Sequence, residues 1–125
     1  APAMAAKTLL VVDDVESMRG ILTAIAQEVG FAVKQASHGQ AGLEMVQAGG
    51  IDAIVSDWNM PVMDGGQFVR ALRAAGHRMP VIMVTVEADQ NRVRELIQTG
   101  IQGYIVKPFK AETVHRALEK LLQRL

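Results

Sequence analysis

The sequence predicts an α/β fold: one parallel sheet of five strands with helices packed on both of its faces. Three observations carry this. Apolar runs without polar alternation recur at residues 9–12, 53–55 and 81–84, and strands that read this way are covered on both faces. Between the runs lie longer segments with helical spacing, most of them closed by a glycine. The two kinds of segment alternate, strand then helix, five times, which is the order of a parallel sheet joined by right-handed crossovers.

Each element has its own warrant. Lys7 and Thr8 lead into the apolar run 9–12, which ends in Asp13-Asp14. From Glu16 onward Met18, Ile21, Leu22, Ile25 and Val29 fall on one helical face, and Gly30 is the stop. Residues 31–36 form a weaker strand, followed by a turn at 37–40. Ala41, Leu43, Met45 and Val46 mark a short helix closed by Gly49-Gly50. The third strand, 53–55, runs through Ser56 into Asp57, and Met60-Pro61 and Asp64-Gly65 mark a tight loop after it. Residues 66–75 are helical with Phe68, Val69 and Leu72 inward, and 81–85 form the fourth strand. A helix over 88–99 turns Val93, Leu96 and Ile97 to one side. The fifth strand, 103–106, ends at Lys107-Pro108. The last helix, 111–125, carries a stripe of Val114, Leu118, Leu121, Leu122 and Leu125.

Five strands in this pattern suit the flavodoxin-like three-layer sandwich, with strand order 2-1-3-4-5 and five helices. Ligands of such sheets bind at the carboxyl ends of the strands, beside the switch between strands 1 and 3. The 125 residues suffice for one core, and a single domain over 4–125 is expected. Formal net charge is zero, so the chain has no overall basic field for nucleic acid or an anionic membrane. There is no cysteine, which removes disulfides, thiolate metal sites and cysteine nucleophiles and fits a reducing compartment. No apolar run approaches membrane-spanning length and no signal-peptide pattern opens the chain, so a cytoplasmic protein is expected.

The strand ends carry the chemistry. Strand 1 ends in Asp13-Asp14, strand 3 in Asp57, strand 4 in Thr85 and strand 5 in Lys107, while strand 2 offers only Ser37. Helix caps alone would explain carboxylates and hydroxyls there, but a lysine gains nothing beside the positive end of a helix. Three ionised carboxylates close together repel, so either one takes a proton or a cation sits among them, and Lys107 alone does not neutralise three negative charges. An all-oxygen set suits Mg²⁺. Metal and ammonium around one carboxylate make a phosphoryl site, with Thr85 as a hydrogen-bond donor. Asp57 is the nucleophile of choice, since its strand lies centrally.

These residues, in order and spacing, are similar to the receiver domain of bacterial two-component response regulators. The resemblance covers essentially the whole chain and rests on Asp13-Asp14, Asp57-Trp58-Asn59-Met60-Pro61, Asp64-Gly65, Thr85 and Lys107-Pro108-Phe109. It implies a signalling phosphoacceptor, not a turnover enzyme: Asp57 takes a phosphoryl group from the phosphohistidine of a histidine kinase or phosphotransfer protein. It implies Mg²⁺ held by Asp14, Asp57 and the main-chain oxygen of Asn59, with Asp13 through water. Lys107 contacts the phosphoryl oxygens, and Lys107–Pro108 is a candidate cis peptide. Thr85 and Tyr104 are the implied switch, Thr85 moving to the phosphate and Tyr104 turning inward. The implied output face, for a downstream target protein, is helix 4, strand 5 and helix 5, residues 91–120. Asn59 and Glu87 resemble chemotaxis regulators of the CheY kind, where these positions tune the access of water to the acyl phosphate. Trp58 is expected partly exposed, as an optical reporter. Val86 and Ile101 depart from the smaller residues usual there, and Val86 narrows access to the site. A monomer or weak phosphorylation-dependent dimer is expected, with no direct nucleic-acid or membrane partner.

Other readings fit the residues less well. An aspartyl-phosphate phosphohydrolase needs a second acid two residues after the nucleophile, where this chain has Asn59. A flavin or nucleotide binder needs a glycine-rich phosphate loop after strand 1, where Asp13-Asp14 stand. A docking-only relative would lack one of the acids, and none is missing. A receiver that forms part of a larger transcriptional regulator stays open as an alternative. His38, His77 and His115 lie in separate elements without metal-ligand spacing, and Arg92, Arg94 and Arg116 suit a solvated helix face.

Overall fold

The computed structural model describes residues 6–86 and 89–125. The expected boundary at Met4 lies outside them. Five strands and five helices alternate: β1 (Thr8–Val12), α1 (Glu16–Val29), β2 (Ala32–Ala36), α2 (Gly39–Ala48), β3 (Ala53–Asp57), α3 (Gly65–Ala74), β4 (Val81–Thr85), α4 (Gln90–Gln98), β5 (Gly103–Val106) and α5 (Ala111–Gln123). The strands pair in parallel in the order β2-β1-β3-β4-β5. The fold is the expected flavodoxin-like sandwich.

The period-two geometry of a strand sends alternate residues to opposite faces, and two cores result. Leu9, Val11, Val55 and Val84 join Leu22, Ile25 and Ala26 of α1 and Val114, Leu118 and Leu121 of α5. Leu10, Val12, Ile54 and Met83 join Val46 of α2, Phe68, Val69 and Leu72 of α3 and Leu96 of α4. The sheet is therefore the middle of three layers, with α1 and α5 on one side and the other helices opposite. β3 and β4 are buried at every position. The edge strand β2 is mostly exposed or half-buried, and its sequence Ala-Val-Lys-Gln-Ala reads weakly as a strand for that reason.

Two expected inward residues face outward. Ile21 is 48% exposed, because α1 centres its contact on Leu22, Ile25 and Ala26 and carries Ile21 onto its flank. Ile97 is 64% exposed, because α4 buries only Leu96. Local chemistry fixes several joints. Asp64 and Gln67 close a reciprocal capping box at the start of α3. His38 caps α2 by accepting the Ala41 N–H on Nδ1 at 3.1 Å. Arg73 donates to the carbonyl oxygens of His77, Met79 and Gly100 at 3.0, 2.9 and 2.9 Å. That guanidinium ties the end of α3 to the start of β4 and to the foot of α4, at the end of the sheet away from Asp57.

Candidate functional site

Strand register brings the chemistry to one edge. Val12 pairs with Ser56, Asp57 with Val84, and Thr85 with Val106. The carboxyl ends of β1, β3, β4 and β5 are thus level, and Asp13 and Lys107 follow directly from β1 and β5. Asp13, Asp57 and Thr85 are buried, and Asp14 is exposed beside them. The Lys107 ammonium, reaching in from the end of β5, lies 3.4 Å from Asp57 Oδ1 and 3.9 Å from Asp13 Oδ2. The Asn59 N–H is also directed at Asp57 Oδ1, at 3.4 Å. Both contacts are long, so Asp57 is guided rather than saturated.

Asp13 is held from its own turn. Its Oδ1 accepts the Val15 N–H at 2.9 Å, and its main-chain oxygen accepts from Arg19 Nη1 at 2.8 Å. The sequence does not single out Arg19, since nothing separates it from any other arginine on an amphipathic helix. Asp13 Oδ2 is buried and has no hydrogen-bond partner among the described residues. Burial pushes the carboxyl groups of both Asp13 and Asp57 above the ordinary value of 3.8. The Val15 N–H at Asp13 and the Lys107 ammonium at Asp57 oppose that rise without cancelling it.

The residues fit a divalent cation. Asp13, Asp14 and Asp57 each offer an oxygen, and the three atoms lie within 4.8 Å of one another. An orphaned buried carboxylate oxygen next to two further carboxylates costs free energy unless positive charge is added. The ligands are all oxygen, which favours Mg²⁺ over softer metals.

The profile of the response regulator receiver domain family matches residues 9–119. The chain belongs to that family. The chemotaxis protein CheY of Pseudomonas aeruginosa is 39% identical over 120 residues, covering 94% of this chain and 97% of the relative. CheY-3 of Vibrio cholerae is also 39% identical, over 94% of this chain and 92% of its own. Among solved structures, the chemotaxis protein CheY4 of Vibrio cholerae superposes with a TM-score of 0.87 at 35% identity, covering 94% and 99% of the two chains. A Francisella response regulator receiver domain gives 0.88 at 26% identity, covering 94% and 98%.

The other expected residues of the receiver domain take distinct positions. Thr85 is buried at the end of β4, beside the strand that carries Asp57. Asn59 is exposed on the loop after β3. Tyr104 stands apart from the carboxylates, 41% exposed, over a cleft between β5 and α5 lined also by Ile82, Ala117 and Leu121. Glu87 lies outside the described residues. The Lys107–Pro108 peptide is cis. Val86 is 55% exposed and lines an apolar groove with Met18, Ile21 and Phe109 that reaches Lys107. A further expectation is overturned: Trp58 is buried, at 4% exposure. Its ring lies against Gly66 of α3 and beneath the Arg92 guanidinium of α4, which are brought to it by tertiary packing.

Proposed function

We propose that Asp57 of this receiver domain takes a phosphoryl group from the phosphohistidine of a histidine kinase or phosphotransfer protein, in a chemotaxis-type relay in the cytoplasm. The observation that carries the proposal is the position of Asp57. It is buried at the end of a central strand, between two further carboxylates and an ammonium 3.4 Å away.

A carboxylate oxygen of Asp57 attacks phosphorus, an O–P bond forms, and the N–P bond to the donor imidazole breaks. The imidazole keeps the electron pair and takes a proton from water. Lys107 steadies the phosphoryl oxygens, and Thr85 donates a hydrogen bond to one of them. Asp14, Asp57 and the main-chain oxygen of Asn59 would hold Mg²⁺, with Asp13 acting through water. When bound, the metal supplies positive charge that offsets the carboxylates and the phosphoryl group. Hydrolysis reverses the modification: water adds to phosphorus, the O–P bond breaks, and inorganic phosphate leaves Asp57. Asn59 and Glu87, two residues beyond Asp57 and Thr85, govern the approach of that water.

The signal leaves by the face of α4, β5 and α5, where a downstream target protein docks. Thr85 moves toward the phosphoryl group, and Tyr104, now half out, turns into the space released. Intact mass after incubation with acetyl phosphate tests the central claim. A gain of one phosphoryl group that requires Mg²⁺ and is absent in Asp57→Asn is expected. Uptake by Asp57→Asn, or none by the unaltered protein from either acetyl phosphate or a phosphorylated kinase, overturns it.

A further inference from the structure

We propose that Arg92 is a positioning residue that couples helix α4 to the phosphoacceptor loop through its stack on Trp58; the coupling builds on the phosphoacceptor role of Asp57. The Arg92 guanidinium lies 4.7 Å from the centroid of the Trp58 ring. Trp58 directly follows Asp57, and its backbone is fixed on both sides. Its N–H donates to Val84 O at 2.8 Å, and its carbonyl accepts from Met60 and Gly65 at 3.1 and 2.8 Å. The far edge of the ring meets Gly66 so closely that a Cβ there would lie 2.6 Å from it. The indole is therefore a rigid platform built on the phosphoacceptor loop.

Helix α4 needs such a platform. Leu96 is its only buried residue. Its foot is held by Arg73, which donates to Gly100 O at 2.9 Å. Its opposite end, next to the site, carries Arg92 in the first turn, where Asp89 accepts the Arg92 N–H at 2.8 Å. Glu95 Oε2 lies 3.3 Å from Arg92 Nη1, and the Arg92 side chain is 18% exposed. A cation over an indole face is attracted by the ring quadrupole, and more strongly when shielded from water. A helix pinned at its foot by one arginine and at its head by another, with little apolar packing between, pivots when the head is released. β4 ends at Thr85 and α4 starts at Gln90, so the head of α4 is the next element along the chain after the site.

Amide hydrogen exchange and Trp58 emission test the latch, with Mg²⁺ and beryllofluoride as a non-transferable stand-in for the phosphoryl group. Trp58 is the single tryptophan of the chain, so the emission comes from this indole alone, and the exchange of α4 shows whether the helix moves with it. In the full chain, beryllofluoride is expected to change the protection of residues 90–98 together with the emission. In Arg92→Met those amides are expected to exchange about tenfold faster before any ligand is added. The amides of α1 and α5 should stay as they were, and beryllofluoride should add little further change. Arg92→Lys keeps a cation and is expected to restore most of the protection. The coupling is overturned if α4 exchanges identically in Arg92→Met and the unaltered protein, or if α1 and α5 loosen as much as α4. Intact mass with acetyl phosphate on the same samples separates the two claims. Failure of the unaltered protein to take up phosphate from any donor defeats the role of Asp57, while the exchange of α4 without ligand still decides whether Arg92 latches it.

Discussion

Val62 has a φ of 68° and a fully exposed side chain, five residues after Asp57. A β-branched residue in the left-handed region is strained, since its Cβ crowds the backbone, and exposure gives it no packing in return. Asparagine tolerates this conformation far better. Val62→Asn is therefore expected to stabilise the fold by about 1 kcal/mol, read as a higher urea midpoint at unchanged slope. An unchanged or lower midpoint would show that the loop carries no such strain. The surrounding Pro61-Val62-Met63 contains none of the residues that announce a positive φ, so sequence gave no sign of it. Asp57 and Lys107 were legible by contrast, because the end of a buried strand fixes both where a side chain sits and what it faces. Trp58 was misjudged as partly exposed for a related reason. Its cover comes from Gly66 and Arg92, on two different helices, and no local pattern announces either.

At the scale of elements, the join between β3 and α3 is the tightest fit in the site. A Cβ on Gly65 would lie 2.8 Å from Asp57 O, 2.8 Å from Trp58 Cα and 2.6 Å from Met83 Sδ. The methionine sulfur can swing away, but the two backbone atoms belong to the end of β3 and the loop after it. Gly65→Ala is expected to cost about 2 kcal/mol of stability, and to slow phosphoryl uptake from acetyl phosphate by displacing Asp57. Uptake at the original rate despite the lost stability would show that α3 yields instead of β3. Legibility at this scale followed burial. Strands covered on both faces read as continuous apolar runs, and β1, β3 and β4 were plain in the sequence. β2, at the edge, was weak. The inward faces of α1 and α4 were drawn too wide, taking in Ile21 and Ile97, because helical periodicity gives a stripe but not how much of it the sheet covers. The Arg73 clamp, which reaches from α3 to Gly100, belongs to the same class of long-range contact that periodicity does not carry.

For the whole molecule, the site is expected to set a stability that depends on pH and, with the proposed Mg²⁺, on metal. The carboxyls of Asp13 and Asp57 have folded values above 3.8, chiefly through burial. Over the interval from the unfolded value up to the folded ones, the metal-free native state holds protons that the unfolded chain has released. Stability from these groups is thus fully present below the unfolded value and is lost as pH rises through the folded values. The proposed Mg²⁺ would bind the deprotonated carboxylates, so its contribution would run the other way, absent in acid and growing across the same window. At a hundredfold excess over its dissociation constant a ligand of the native state adds about 2.7 kcal/mol. Asp13→Asn separates the two effects. The amide oxygen can still accept the Val15 N–H, while the buried negative charge is gone. In EDTA at neutral pH this variant is expected to be more stable than the unaltered protein by about 1–2 kcal/mol, an advantage that disappears in acid. With Mg²⁺ the order reverses, because one of the three carboxylates is missing. Thermal unfolding at a series of pH values, with EDTA and with Mg²⁺, checks both halves. A variant less stable than the parent in EDTA at neutral pH, or a Mg²⁺ effect that does not grow with pH, would mean that the three acids are balanced by the protein alone, with Lys107 sufficient as their counter-charge.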